Sequence, residues 1–142
     1  MATLKKPMVA TEQTLPGLTR FVPEQTISVL FADAAADKEL PVGTVVAFNS
    51  STNGYVEIIA GGATDTGQLA GIVYPDPVSI DDGGEVVGVI MTRGECHFDD
   101  LVADDPTEAE LQTILREQAL LRGILVKGLA DIRHKIAPDA VV

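Results

Sequence analysis

Residues 40–98 restrict the possible folds of this chain more than any other segment. They form short runs rich in Val, Ile and Thr, which alternate with Gly, Asn, Asp and Pro. Such runs are typical of strands, and the residues between them are typical of turns. Together with one run before this segment and one after it, they predict strands at residues 27–31, 44–48, 55–60, 68–74, 86–92 and 124–129. Residues 95–98 either continue the fifth strand after a bulge at Gly94 or return from it.

The dipeptide Asn53-Gly54 lies between two of these runs. A two-residue hairpin turn of type I′ needs a positive φ at both central residues, and Asn-Gly is a pair that adopts this conformation readily. The sequence therefore predicts a tight hairpin with a type I′ turn at this point.

One segment near residues 106–122 has helical periodicity. Asp105 suits the N-cap, Pro106 suits the first helical position, and Glu108 would complete a capping box. Gly123 suits the residue that ends a helix. The residues predicted to form the buried face are Leu111, Ile114, Leu115, Ala119 and Leu121. The predicted fold class is therefore mainly β with one α-helix (α+β), in a single β-rich domain over residues 26–142.

The charge of the chain is strongly acidic and unevenly distributed. The 142 residues have a formal net charge of −11. Residues 76–110 hold eleven acids and one base, Arg93, whereas the two ends of the chain are mildly basic. Because nucleic-acid binding requires Lys and Arg to neutralise phosphates, this charge argues against a DNA or RNA partner. No apolar run approaches the roughly 20 residues of a membrane span, so no membrane partner is expected.

Residues 1–25 carry several prolines and no sustained periodicity, which predicts an extended N-terminal arm outside the core. The arm is nevertheless rich in apolar side chains for a spacer, so we expect it to become ordered against a partner. Its candidate contact residues are Leu4, Lys5, Lys6, Met8, Val9, Leu15, Leu18 and Phe21.

The sequence contains none of the common catalytic or metal-binding motifs. The single cysteine, Cys96, excludes an internal disulfide and fits a reducing compartment. It precedes His97, but neighbours in a strand point to opposite faces, so we expect Cys96 to be a small core residue. The aspartates at residues 99–105 lack the spacing of a calcium loop, and a solvated loop with a helix cap explains them. No cofactor or metal is therefore predicted.

Five short motifs follow one another along the chain. They are Leu-Pro-x-Gly-Thr-Val-Val at 40–46, Asn-Gly-Tyr-Val at 53–56, Ala-Gly-Ile-Val at 70–73, Val-Ile-Met-Thr-Arg-Gly at 89–94 and Arg-Gly-Ile at 122–124. With the polar leader and the acidic stretch, this order resembles the lambda-type head decoration proteins of tailed bacteriophages, over residues 27–130. The chain is longer than the compact members of that class and carries more charge over residues 99–122.

The resemblance implies a β-clip-like fold with an extended N-terminal arm over residues 2–23, and no catalysis. It implies a homotrimer at the local three-fold axes of the capsid, which binds the outer surface of the expanded head and stabilises it. The partner would be the major capsid protein. The protein would be found in the virion, after assembly in the host cytoplasm.

Two other functions stay open on the residues alone. One is a small enzyme or ligand-binding β-module that uses Cys96, His97 and the nearby acids. The other is a general assembly adaptor, such as a tail or pilus component. Loss of a measurable activity in a Cys96→Ser variant that still folds would identify the first of these.

Overall fold

A computed structural model describes residues 20–32, 37–62, 65–81 and 84–129. Within these residues the chain forms eight strands, one α-helix and one turn of 3-10 helix. The strands are β1 (Val22–Ala32), β2 (Lys38–Leu40), β3 (Val45–Asn49), β4 (Gly54–Glu57), β5 (Gly71–Val73), β6 (Val78–Ile80), β7 (Glu85–His97) and β8 (Ile124–Lys127). The helix is α1 (Glu108–Arg122), and the 3-10 turn covers Phe98–Asp100. The predicted class, mainly β with one α-helix, is confirmed.

Strand β1 connects the two ends of a circuit in the main sheet. The strand order is β1-β4-β3-β5-β7-β8, and β1 also pairs with β7. Five strands therefore form a closed circuit, in which β1 and β4 meet in parallel at Phe31 and Tyr55. Strand β8 lies outside this circuit and pairs in parallel with β7. A separate two-stranded sheet contains β2 and β6.

The main sheet buries apolar side chains on both of its faces. One core cluster lies between the sheet and α1, and the other lies between the opposite face and the β2–β6 ribbon. Fully buried members are Val45, Ile72, Met91 and Leu115 in the first cluster, and Phe31, Val46 and Ile90 in the second. Because consecutive residues of a strand point to opposite faces, continuous runs such as Val45-Val46 supply both clusters.

The pairing of β1 with β7 is the longest in the sheet. Its register shifts twice, which leaves Glu24 in β1 and Thr92 in β7 without a direct partner, as in β-bulges. All residues from Val22 to Ser28 are exposed, so neither core cluster extends over this half of β1. Strand β7 continues through Gly94, which is the first of its two predicted courses, although the bulge lies two residues earlier than predicted.

The predicted boundary between arm and core is wrong. Strand β1 begins at Val22, so residues 22–25, which were assigned to the arm, belong to the sheet. Phe21 is only 5% exposed and belongs to the core cluster under α1, so it is not a free contact residue. Pro23 obscured this strand in the sequence, although an edge strand tolerates proline. The other predicted contacts lie outside the described residues: Leu4, Lys5, Lys6, Met8, Val9, Leu15 and Leu18.

Helix α1 begins two residues later than its predicted cap indicates. Thr107 is the N-cap, and it forms a reciprocal capping box with Glu110. The Thr107 hydroxyl accepts from the Glu110 N–H, and the Glu110 carboxylate accepts from the Thr107 N–H. At the other end Gly123 has a φ of 91°, a left-handed conformation that glycine adopts without strain, as predicted. The predicted buried face is correct at three positions, but Leu121 is 86% exposed.

The hairpin between β3 and β4 does not contain the predicted type I′ turn. Asn53 has a φ of 58°, but Gly54 is the first residue of β4 and is not among the glycines with positive φ. The loop is longer, and the Asn53 N–H donates to the carbonyl of Asn49 at 2.8 Å. Gly54 is needed for a different reason, since a Cβ there would lie 2.6 Å from the Cβ of Ala32. Its missing side chain lets β1 and β4 approach each other.

Candidate interaction surface

The N-terminal segment joins the core at a fixed point. The Arg20 guanidinium donates from Nη2 to Oδ1 of Asp100 at 2.7 Å. The ring of Phe21 stacks on Tyr74, with ring centres 5.0 Å apart and planes inclined by 21°. An ion pair and a buried ring therefore hold two consecutive residues, and β1 begins at the next residue.

Asp100 is more buried than the arginine that pairs with it. Its side chain is 10% exposed, compared with 40% for Arg20. The second carboxylate oxygen, Oδ2, is buried and has no hydrogen-bond partner among the residues that the structure describes. A buried carboxylate that loses its cation destabilises a fold by roughly 3–5 kcal/mol. Loss of Arg20 would therefore leave the Asp100 carboxylate buried without its cation.

The other aspartates of the predicted acidic cluster have separate positions. Asp99 is exposed. Asp104 donates its backbone N–H to Oε2 of Glu57 at 2.9 Å. Asp105, the predicted helix cap, instead accepts the Ala60 N–H at Oδ2, also at 2.9 Å. Across residues 20–32, 37–62, 65–81 and 84–129, no group of three or more His, Cys, Asp or Glu side chains could hold a metal ion.

Glu57 is a charged residue that the sequence analysis missed. Its side chain is 7% exposed, and Oε1 lies 3.1 Å from Nζ of Lys38. Because Oε2 also accepts the Asp104 N–H, Glu57 joins β4 to β2 and to the segment before α1. A single glutamate at the end of a strand has no motif around it, so no sequence signal could have indicated this role.

Cys96 and His97 do not form a reactive pair in this structure. Cys96 is 1% exposed and lies in the cluster under α1, which confirms its predicted place in the core. Burial, with a smaller contribution from the Asp100 carboxylate, raises the pKa of the Cys96 thiol from 9.0 to about 12. The thiol is therefore protonated at neutral pH. The His97 imidazole accepts the Asp99 N–H at Nδ1, 3.2 Å away, and packs beside Gly128.

A shallow groove of about 390 Å³ lies between the first turns of α1 and the loop after β4. Its lining consists of Ala60, Gly61, Ala109, Glu110, Thr113 and Ile114. The one ionisable side chain in this lining is Glu110, and its carboxylate already accepts the Thr107 N–H of the capping box. The groove is therefore a mainly apolar depression with no nucleophile and base placed together in its lining.

Exposed apolar side chains occur on β1 and β8, which flank the C-terminal half of β7, and on the last turn of α1 before β8. Others lie at Leu30, Ile59, Val87 and Val102. We define the β1 surface as Val22, Glu24 and Ile27, and the β8 surface as Leu120, Leu121, Arg122, Leu125 and Lys127. In the β1 surface, Val22 is 53% and Ile27 is 38% exposed. In the β8 surface, the exposed fractions are 71% for Leu120, 86% for Leu121 and 44% for Leu125. Contiguous apolar patches of several hundred Å² mark interaction sites, whereas single exposed apolar side chains are common on any protein surface.

No protein-family model matches the chain, and no curated protein is significantly similar to it. Within the described part of the chain, no helix is both long enough and apolar enough to cross a membrane.

Proposed function

We propose that this chain is a bacteriophage capsid decoration protein. It binds the outer surface of the expanded head as a homotrimer, with the major capsid protein as its partner, and stabilises the shell without catalysis. The observation that carries the proposal is the fixed junction at Arg20 and Phe21 between an apolar-rich leader and an ordered β-core. Such a junction sets the point from which the leader can reach a neighbouring surface.

The positions of the five resembling motifs support this proposal. The motifs at 40–46 and 70–73 meet where β3 pairs with β5, and β5 in turn pairs with the motif at 89–94 in β7. The motif at 122–124 adjoins the same strand, since the Gly94 N–H donates to the carbonyl of Gly123 at 3.1 Å. Motifs that are far apart in sequence therefore form neighbouring parts of one sheet, as the shared features of one fold should.

The energetics of an anchored leader favour an assembly with several copies. Fixing the backbone of a segment that orders only on binding costs about 1–2 kcal/mol per residue, so a leader that behaves as its sequence predicts would bind weakly on its own. Three leaders that act together raise the overall affinity by a factor of roughly 10²–10⁴ without a new type of contact. A protein that binds the expanded lattice and not its precursor stabilises the expanded lattice by mass action.

The test is a deletion that removes the leader and keeps the junction residues Arg20 and Phe21. We expect removal of residues 2–19 to abolish binding to expanded heads, because Arg20 and Phe21 are retained and the core stays folded. The assay is co-sedimentation with expanded heads assembled from the candidate major capsid protein. A matched control replaces residues 2–19 with a Gly/Ser segment of equal length, which keeps the length of the leader and removes its apolar side chains. Unchanged binding by both variants would refute the role of the leader.

The alternative function, an enzyme or ligand-binding module at Cys96 and His97, is not favoured by any contact described above. The buried thiol with its raised pKa is a poor nucleophile. A Cys96→Ser variant tests it, since a catalytic thiol cannot be replaced without loss of turnover. Substrate turnover by the wild-type protein that the Cys96→Ser variant lacks would replace the decoration proposal.

A further inference from the structure

Another groove lies between the 3-10 turn and the start of α1. Its volume is about 390 Å³, and we call it the 98–111 groove. Phe98, Leu101 and Leu111 form part of its lining and also belong to the core cluster under α1. Val102 lines it as well and is 36% exposed. The 98–111 groove is therefore an open apolar depression whose floor continues into the core.

Two carboxylates flank this apolar lining. Asp99 belongs to the 3-10 turn and Glu108 to the first turn of α1, and both residues are exposed. In the described part of the chain, no lysine or arginine forms a salt bridge with either of them, and the Asp99 carboxylate lies 3.7 Å from the imidazole of His97. An occupant that fits this groove must therefore present apolar side chains together with positive charge.

The last described residues lie beside this groove. Strand β8 pairs in parallel with the end of β7 at His97, and the residue after His97, Phe98, lines the groove. Gly128 has a φ of 85°, and a Cβ there would lie 2.5 Å from the His97 ring, so only glycine lets the chain pass this point. Leu129 packs against the same core cluster as Phe98. Residues 130–142 therefore start next to the 98–111 groove.

The sequence after Leu129 has the chemistry that the groove requires. Residues 132–136 read Ile-Arg-His-Lys-Ile, so two bases lie between two isoleucines. Ile132 can lie up to about 10 Å from Leu129, because a chain advances by about 3.3 Å per residue. The N-terminal leader also carries bases, but the nearest of them, Lys6, lies fourteen residues before Arg20. Proximity and charge together favour residues 132–136 as the occupant.

We propose that residues 132–136 bind in the 98–111 groove of their own chain. The two isoleucines contact the apolar lining, and the two bases lie beside the two carboxylates. Apolar contact supplies most of the affinity, and the charges set the orientation, because exposed ion pairs contribute little by themselves. The bound segment lies against the 3-10 turn whose Asp100 holds Arg20, so it connects the C-terminal end of the chain to the leader junction.

Disulfide exchange within the full chain tests this contact. Val102→Cys places a thiol in the groove and Ile136→Cys places one in the segment, whereas the native Cys96 is 1% exposed. The double variant is equilibrated with glutathione at low protein concentration, and the yield of intramolecular disulfide gives the effective concentration of the two thiols. The matched control pairs Ile136→Cys with Leu125→Cys. Leu125 is 44% exposed and only eleven residues from Ile136, so an unbound segment would join it more readily than Val102. We expect the groove pair to have an effective concentration at least about ten-fold higher than the control pair.

Charge reversal tests the orientation of the segment. Asp99→Lys keeps the backbone N–H that donates to the His97 imidazole, so the 3-10 turn retains its cap. It should lower the effective concentration of the groove pair by about two- to five-fold, which is the range of exposed ion pairs. Adding Arg133→Glu or Lys135→Glu, whichever base lies beside residue 99, should restore the value. An effective concentration that Asp99→Lys leaves unchanged would overturn the placement of the bases.

Other results would overturn the inference as a whole. One is an effective concentration for the groove pair no higher than for the Leu125 pair. Another is a disulfide that joins two chains, which would place the segment on a second copy. A large increase after removal of residues 2–19 would mean that the leader occupies the groove in the full chain. No capsid protein is present in this assay, so its failure is distinct from a failure of head binding.

Discussion

Replacement of Phe21 by alanine distinguishes the structure from the arm predicted by sequence. If Phe21 belonged to a free arm, its truncation would leave the free energy of unfolding unchanged. In the structure the ring is 5% exposed and stacks on Tyr74 within the core cluster under α1. We therefore expect Phe21→Ala to destabilise the folded protein.

The size of the effect follows from the buried area. A phenylalanine buries at least about 150 Å². At about 25 cal/mol per Å² this area contributes close to 4 kcal/mol. A compact unfolded state lowers the value by roughly 10–40%, to about 3 kcal/mol. Measured truncations of buried Phe residues lie at about 3–5 kcal/mol, which includes the cavity that remains. The expected loss is therefore about 3 kcal/mol, a large part of the stability of a small domain.

Urea unfolding followed by far-ultraviolet circular dichroism measures this loss. Val22→Ala is the matched control, since Val22 is the next residue and is 53% exposed. Surface substitutions of this kind change stability by no more than about 0.5 kcal/mol. The two variants should unfold with the same dependence on urea concentration and different midpoints. A loss below about 1 kcal/mol for Phe21→Ala would refute the anchored junction and restore Phe21 to the arm.

Three further predictions follow from particular contacts. Gly54→Ala should destabilise the fold by about 1–3 kcal/mol through overpacking against Ala32, and adding Ala32→Gly should restore most of the loss in urea unfolding. Thr107→Ala should lower stability by about 1 kcal/mol through loss of the helix cap, whereas Thr107→Ser should be nearly neutral; a neutral Thr107→Ala would contradict the capping box. The raised pKa of Cys96 means that the unfolded chain releases this proton first, so stability falls as the pH rises from 9 towards 12. By pH 10 the expected loss is about 1 kcal/mol, and a Cys96→Ala variant with the same pH dependence would contradict it.

Strands β3 and β5 were predictable from sequence because they are continuous apolar runs buried on both faces, whereas the exposed first half of β1 was missed. Strands β2 and β6 were not predicted. Each has only three residues, Lys38–Leu40 and Val78–Ile80, and their pairing with each other is what makes them strands. No local pattern of three residues indicates a partner that lies forty positions away. The same limit applies to Glu57, because its partners Lys38 and Asp104 come from distant parts of the chain.

The helix shows why local signals can be correct in kind and wrong in position. Asp105, Pro106 and Glu108 satisfy the rules for a helix start, but the Asp105 carboxylate is engaged by the Ala60 N–H of another segment. Thr107 then supplies the cap, and its partner Glu110 lies three residues further on. Both Asp105 and Thr107 could have capped the helix, and the contact of Asp105 with another segment left Thr107 as the cap. At the C-terminal end, Gly123 was the predicted last residue of the helix, and the structure confirms it as the C-cap.

Phe21 and Leu121 were misassigned in opposite directions for one reason. Sequence patterns identify apolar residues, but they do not indicate whether the surface that covers such a residue belongs to the same chain. Phe21 was predicted to contact a partner, but it is buried in the core of its own chain. Leu121 was predicted to lie in the core, but it is 86% exposed. The exposure of each side chain depends on which elements of the same chain cover it, and the spacing of apolar residues along the sequence does not indicate this.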